Sequence, residues 1–111
     1  MTDKTERYDS WALYKQAQYL ANMVEQEYNC EDIIDVWNAS YEVCANHEWA
    51  TCYYPALRVV AENDTTDAEE SVEVVYGNKR FDSIAEHACA IVRELLHVAV
   101  LEELDDRGVK T

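Results

Sequence analysis

Glycine and proline are nearly missing from this chain, with two and one respectively in 111 residues. Hairpins draw on Gly, Asn-Gly and Pro turns, so their scarcity leaves few breaks and favours long helices. Positive charge is also scarce: nine Lys and Arg stand against 23 Asp and Glu, a net charge of −14. Phosphate binding needs a Lys/Arg surface, which argues against nucleic acid as a direct ligand and makes a basic partner the complement. No run of about 18 apolar residues exists for a membrane span, and no cationic start leads into an apolar run as in a signal peptide. The chain holds no Gly-rich phosphate loop, no nucleophile elbow and no calcium-binding loop. Catalysis is therefore not expected, nor is a cofactor.

Apolar residues make up 49% of the chain and include eight Tyr and three Trp. That suffices for a core, so a disordered acidic tail is rejected. The length suits one domain, residues 1–111, with flexible ends at about 1–7 and 107–111. Four cysteines, Cys30, Cys44, Cys52 and Cys89, with no export signal, read as reduced thiols of a cytoplasm.

Periodicity predicts a helix from Tyr8 to Tyr28, with Leu13, Ala17, Leu20, Val24 and Tyr28 on one face. Its opposite stripe, Lys15, Gln18, Asn22 and Gln26, is polar. Asn29 is placed to cap a second helix from Glu31 to His47. There Ile33, Ile34, Trp37, Tyr41 and Cys44 face inward, and Glu31, Asp35, Asn38 and Glu42 form a separate stripe. Pro55 opens a third helix ending near Asn63. "SVEVVYGN" reads as a short strand or extended connector near 72–76. "SIAE", Ser83 to Glu86, matches a capping box opening a last helix with Ile84, Ala88, Ile91, Leu95 and Val98 inward and Gly108 beyond its end. The expected fold is all-α or nearly so, a small four-helix domain.

The carboxylates spread over the whole of it. Seven lie between Gln16 and Leu57 and six between Val59 and Asn78, and from Gln16 to Asn78 Arg58 is the one Lys or Arg. Several sit badly. Glu25 and Glu27 approach one helix C-terminus, and Glu102, Glu103, Asp105 and Asp106 crowd another, where partial negative charge prefers cations by ~0.3–1 kcal/mol each. Breaking a local rule without a local gain points to function. Duplex DNA carries one charge per roughly 1.7 Å of axis, so 14 net charges match about 24 Å of duplex, and a dimer's charges about 48 Å. Carboxylates three or four residues apart on a helix lie roughly 5–6 Å from one another. A helical protein of this charge would present a DNA-like array.

"CYYPALRVVAEN" (Cys52 to Asn63) and "DSIAEHACAIVRELLHVAVLEEL" (Asp82 to Leu104), preceded by "SYEVCANHEWAT", resemble the Ocr-type phage anti-restriction proteins. The likeness covers about the C-terminal two-thirds of the chain. It implies a small acidic homodimer whose carboxylates imitate DNA phosphates and occupy the DNA-binding groove of a host restriction or related defence enzyme. It also implies a dimer contact through the third helix, at Tyr53, Tyr54, Leu57, Val60 and Ala61. The residues expected to meet the partner are Glu31, Asp35, Glu42, Glu62, Asp64, Asp67, Glu69, Glu70, Glu73, Glu102, Glu103, Asp105 and Asp106.

Two other readings compete. An anti-CRISPR or other anti-defence inhibitor would grip a protein surface through an aromatic patch at Trp49 and Tyr53, with charge only steering the encounter. A zinc site would gather three or four of Cys44, His47, Cys52, His87 and Cys89. Cys44 fits the apolar stripe and no CxxC pair exists, so buried thiols and no metal are expected. His97 reads as a solvated residue on the outer stripe of the last helix.

Overall fold

A computed structural model describes residues 4–26, 30–63, 67–106 and 108, with the side chains of 15–26, 33–63, 67–105 and 108. Asn29, the expected cap of the second helix, and the end 109–111 lie outside the described residues. Among the described residues six helices follow one another: α1 (Lys4–Gln26), α2 (Cys30–Asn46), α3 (Ala50–Tyr53), α4 (Pro55–Glu62), α5 (Ala68–Tyr76) and α6 (Phe81–Asp106). No strand occurs among the described residues. The fold is all-α, with six helices in place of the expected four.

The long α6 organises the molecule. α1 lies along it, α2 and α4 pack on it and on each other, and α5 leans on α2. Ala88, Ile91, Val92, Leu95, Val98 and Ala99 of α6 are buried, at the three- and four-residue steps that make one helical face. Ala17, Leu20 and Val24 of α1 meet them in a single core. Leu57 and Val60 close that core from α4, each 0% exposed.

α2 buries Ile33, Trp37 and Cys44 as expected, with Ile34 half-buried, but its inward face is rotated toward Val36, Ser40 and Val43 and away from Tyr41. Ile33, Val36, Trp37, Ser40, Val43 and Cys44 are buried, whereas Tyr41 is 39% exposed. The buried positions centre on Ser40, whose hydroxyl donates to Val36 O at 2.6 Å. That bond satisfies the hydroxyl internally, so a polar residue can occupy the middle of the stripe. Tyr41, one position on, is rotated out.

The stretch expected as strand or connector is α5. Its alternating valines suggest a strand, but the buried or half-buried positions are Ala68, Ser71, Val72, Val75 and Tyr76, a helical period. Both ends are marked. Asp67 is the N-cap, its Oδ1 accepting from the N–H of Glu69 at 2.9 Å and of Glu70 at 3.4 Å. Gly77 ends the helix at φ +46°, a conformation that side-chain-bearing residues rarely adopt. Ser71 ties the helix back by donating to Asn63 O at 3.2 Å, and Tyr76 packs edge-on against Trp37 at 6.1 Å.

α6 starts at Phe81 rather than at Ser83. The N–H groups of Ser83 and Ile84 already reach Arg80 O, at 3.0 and 3.2 Å. Ser83 is thus inside the first turn, and the expected capping box does not set the helix start. α1 likewise begins earlier than expected, so residues 4–7, read as part of a flexible end, are its first turn. Gly108, at φ +76°, stands beyond α6 as expected.

The short α3 had no counterpart in the sequence reading. Ala50, Thr51 and Cys52 turn back on the carbonyls of His47, Glu48 and Trp49, and Tyr54 then extends at φ −120° before Pro55 enters α4. No side chain of Tyr54 caps α4. The cap comes from α6: the Glu94 carboxylate accepts from Ala56 N at 3.2 Å and Leu57 N at 2.8 Å. Those two donors are among the orphans that every helix start leaves, and an anion there also meets the favourable end of the helix dipole.

Candidate functional site

The expected partner-binding carboxylates fall into three groups. α5 carries the tightest: Asp67, Glu69, Glu70 and Glu73 are all exposed, and its stripe spacing puts Glu69 and Glu73, like Glu70 and Glu73, about 5–6 Å apart. Asp67 is committed to the cap, so its charge sits at the helix start while Glu69, Glu70 and Glu73 face outward. Asp64 lies outside the described residues.

On α2, Asp35 and Glu42 are exposed with Asn38 between them, which matches the expected stripe; the side chain of Glu31 lies outside the described residues. Glu62 at the end of α4 is exposed but shared with Arg58, whose Nε lies 3.1 Å from Glu62 Oε1. An exposed pair of this kind contributes ~0.3–0.5 kcal/mol.

The α6 end divides. Asp105 is exposed, and the side chain of Asp106 lies outside the described residues. Glu102 is half-buried and meets His47 Nε2 at 2.7 Å. Glu103 is only 9% exposed, so it cannot face a partner, contrary to expectation. Glu103 falls on the inward side of α6, four residues past the fully buried Ala99, where a run of acids in sequence gives no sign of which member turns inward. None of the six helices has a basic residue in its last turn. The acids read as badly placed at the ends of α1 and α6 therefore have no cation beside them in the last turn to offset the helix dipole.

Of the expected dimer contact, Tyr53 is 75% exposed, and Tyr54 and Ala61 are half-buried. Leu57 and Val60 are fully enclosed in the chain's own core and drop out of that contact. Trp49 is 42% exposed and stands edge-on to Tyr54 at 6.5 Å. This aromatic face lies in the acid-free segment Trp49–Ala61, whose one charge is Arg58.

Two tyrosine–histidine pairs fasten α6 to its neighbours. The Tyr54 hydroxyl lies 2.5 Å from His97 Nδ1, and the Tyr76 hydroxyl 2.6 Å from His87 Nδ1. His97 is exposed, as expected, yet it is engaged. Burial, then the charge of Glu94, raises the Tyr54 hydroxyl above its ordinary pKa, so it stays protonated near neutrality. Burial lowers the pKa of His87, and Lys79 adds to the effect. Neither pair was visible in the sequence, because partners 43 and 11 residues apart obey no local spacing rule.

The metal candidates do not converge. Cys44 is buried and its thiol donates to Leu57 O at 3.3 Å; burial, then Glu94, pushes its pKa up to about 11. Cys52 is exposed on α3, Cys89 is half-buried on α6, and His47 and His87 are engaged as described. Among the described residues no three His, Cys, Asp or Glu are grouped to hold a metal ion, and no helix is long and apolar enough to cross a membrane. No protein-family model matches the chain, and neither curated proteins nor solved structures yield a match.

Proposed function

We propose that this chain is a phage-encoded counter-defence protein that works by occupancy: its carboxylates take the place of DNA in the cationic groove of a host defence enzyme such as a Type I restriction-modification enzyme. The observation that carries this reading is a rigid one. Asp35, Glu42, Glu69, Glu70, Glu73 and Asp105 are exposed and mounted on helices, so their spacing is set by helical geometry rather than by loose chain. The molecule is 50 Å long. Its 14 net charges then come to one per about 3.6 Å of length, about half the density of duplex DNA. A homodimer would bring more of the duplex length within reach, and the acid-free face with Tyr53, Tyr54 and Ala61 is where two such anions approach at least cost. Like charges placed opposite one another cost energy.

The reaction with the enzyme is competition, without chemistry. Lys and Arg of the groove exchange phosphate partners for carboxylate partners, and the released counterions make the binding salt-dependent. The test is a titration of the chain into a complex of a Type I enzyme with labelled DNA. Release of DNA in proportion to bound chain supports the proposal; a ternary complex holding both refutes it.

The exposure of Trp49 and Tyr53 favours one second reading, an anti-CRISPR or other anti-defence inhibitor gripping a protein surface through this face. Under that reading, Tyr53→Ala abolishes binding and neutralising α5 leaves affinity nearly unchanged.

A further inference from the structure

Between α1 and α2 runs a groove of about 370 Å³, lined by Gln16, Tyr19 and Leu20 on one side and Asp35, Asn38, Ala39 and Glu42 on the other. Its floor is apolar: Leu20 and Ala39 are 4% and 5% exposed. Its rim carries two carboxylate acceptors, Asp35 and Glu42, and the amides of Gln16 and Asn38, which both accept and donate. Asp35 and Glu42, seven residues apart on one helix, stand about 10.5 Å apart along its axis, with Asn38 between. Across from them Tyr19 is 63% exposed, an aromatic ring left uncovered beside two carboxylates.

No neighbour on α2 neutralises those carboxylates. The positions three and four away from Asp35 are Glu31, Asp32, Asn38 and Ala39, and those around Glu42 are Asn38, Ala39, Ala45 and Asn46. None is a cation. The groove therefore asks for a positive group, and its shape says which. A guanidinium is flat, weakly hydrated on its faces, and carries five donors around its edge; an ammonium is compact and strongly hydrated, with no face to stack. An apolar floor accepts the face, a rim carboxylate takes the edge, and an exposed ring adds cation–π attraction.

We propose that the α1–α2 groove is a slot for an arginine side chain of the protein partner, with the guanidinium pairing to one of the two carboxylates, Asp35 or Glu42, the other adding attraction along the rim, and Tyr19 stacking on it. This rests on the proposed function in taking the partner's surface as cationic. It adds that the partner is held by an arginine seated at a defined place, in addition to the distributed attraction of the acidic surface. Tyr19 is then a specificity residue, a part no phosphate imitation requires.

The test uses the full chain, labelled with nitrogen-15, and two probes: N-acetyl triarginine amide and N-acetyl trilysine amide, titrated at low salt. The expected result is that triarginine shifts the amides of residues 16–20 and 35–42 most, and trilysine shifts them less at equal concentration. Tyr19→Ala weakens triarginine at those amides by about two- to fivefold, the range for an exposed cation–π contact, and Tyr19→Phe restores it. Asp35→Asn with Glu42→Gln weakens both probes there. Shifts spread evenly over the acidic surface, or centred on residues 67–73, overturn the slot, as does a Tyr19→Ala variant that binds triarginine like the parent. The readout is independent of DNA competition. A chain that seats triarginine but releases no DNA keeps the slot and loses the occupancy proposal; the reverse pattern keeps occupancy and loses the slot.

Discussion

Removing the Glu94 carboxylate should loosen the start of α4 more than any surface acid would loosen its own surroundings. Glu94 accepts from Ala56 N and Leu57 N, at 3.2 and 2.8 Å, and Leu57 is 0% exposed, so water is poorly placed to replace the carboxylate there. A hydrogen bond to a charged group contributes ~1.5–3 kcal/mol net. Two such bonds share one half-buried carboxylate, so Glu94→Ala is expected to cost about 2–4 kcal/mol. For a domain of this size each kcal/mol lowers Tm by about 4 °C, giving a drop of roughly 8–16 °C. Glu94→Gln keeps one acceptor oxygen and should cost about half as much. The assay is urea denaturation followed by circular dichroism. A second readout follows from the charge itself. Glu94 contributes to the raised pKa of the Cys44 thiol, about 11, so Glu94→Gln should lower it, measured by thiolate absorbance with the other three cysteines replaced by serine. A Glu94→Ala variant within about 0.5 kcal/mol of the parent would show that α4 is held by core packing alone.

Three further outcomes are expected. His87 has a folded pKa lowered below 6.5 by burial and by Lys79, so the unfolded chain takes up its proton first; stability is full above about pH 6.5 and falls as pH drops below it, a decline that His87→Gln flattens in denaturation curves. Leu57→Ala should cost about 2–5 kcal/mol as a core truncation, whereas Tyr53→Ala should change stability by less than about 0.5 kcal/mol while weakening self-association in sedimentation. Gly77→Ala should cost roughly 1–3 kcal/mol through its positive φ alone, since the added Cβ would meet only Glu73 O at an ordinary 3.6 Å.

The long helices were legible because their apolar spacing is strong. Ala17, Leu20 and Val24, and Ala88, Ile91, Leu95 and Val98, were expected inward and are buried, and Pro55 marked the first residue of α4. α5 was misread because three valines and a tyrosine favour strands, while the Asp67 cap and the Ser71 bond to Asn63 O decide for helix. α3 is four residues long, too short to show a period. The acid stripe on α2 was legible since it needs no distant partner, and the acids of α5 were named as partner-binding without the helix that carries them. The inward turn of Glu103, the enclosure of Leu57 and Val60, and the Glu94 cap were not, because each depends on which helix lies opposite, and local spacing carries no such information.

The claim at the centre is that exposed carboxylates on fixed helices stand in for phosphates. Its most direct measurement compares the parent with Glu69→Gln, Glu70→Gln, Glu73→Gln, three outward residues of α5, for displacement of DNA from a Type I enzyme across a range of salt. Each lost surface ion pair removes ~0.2–1 kcal/mol, so the variant should displace DNA roughly tenfold less well, with a flatter dependence on salt and an unchanged fold. A variant that displaces DNA as well as the parent, with the same salt dependence, would contradict the account.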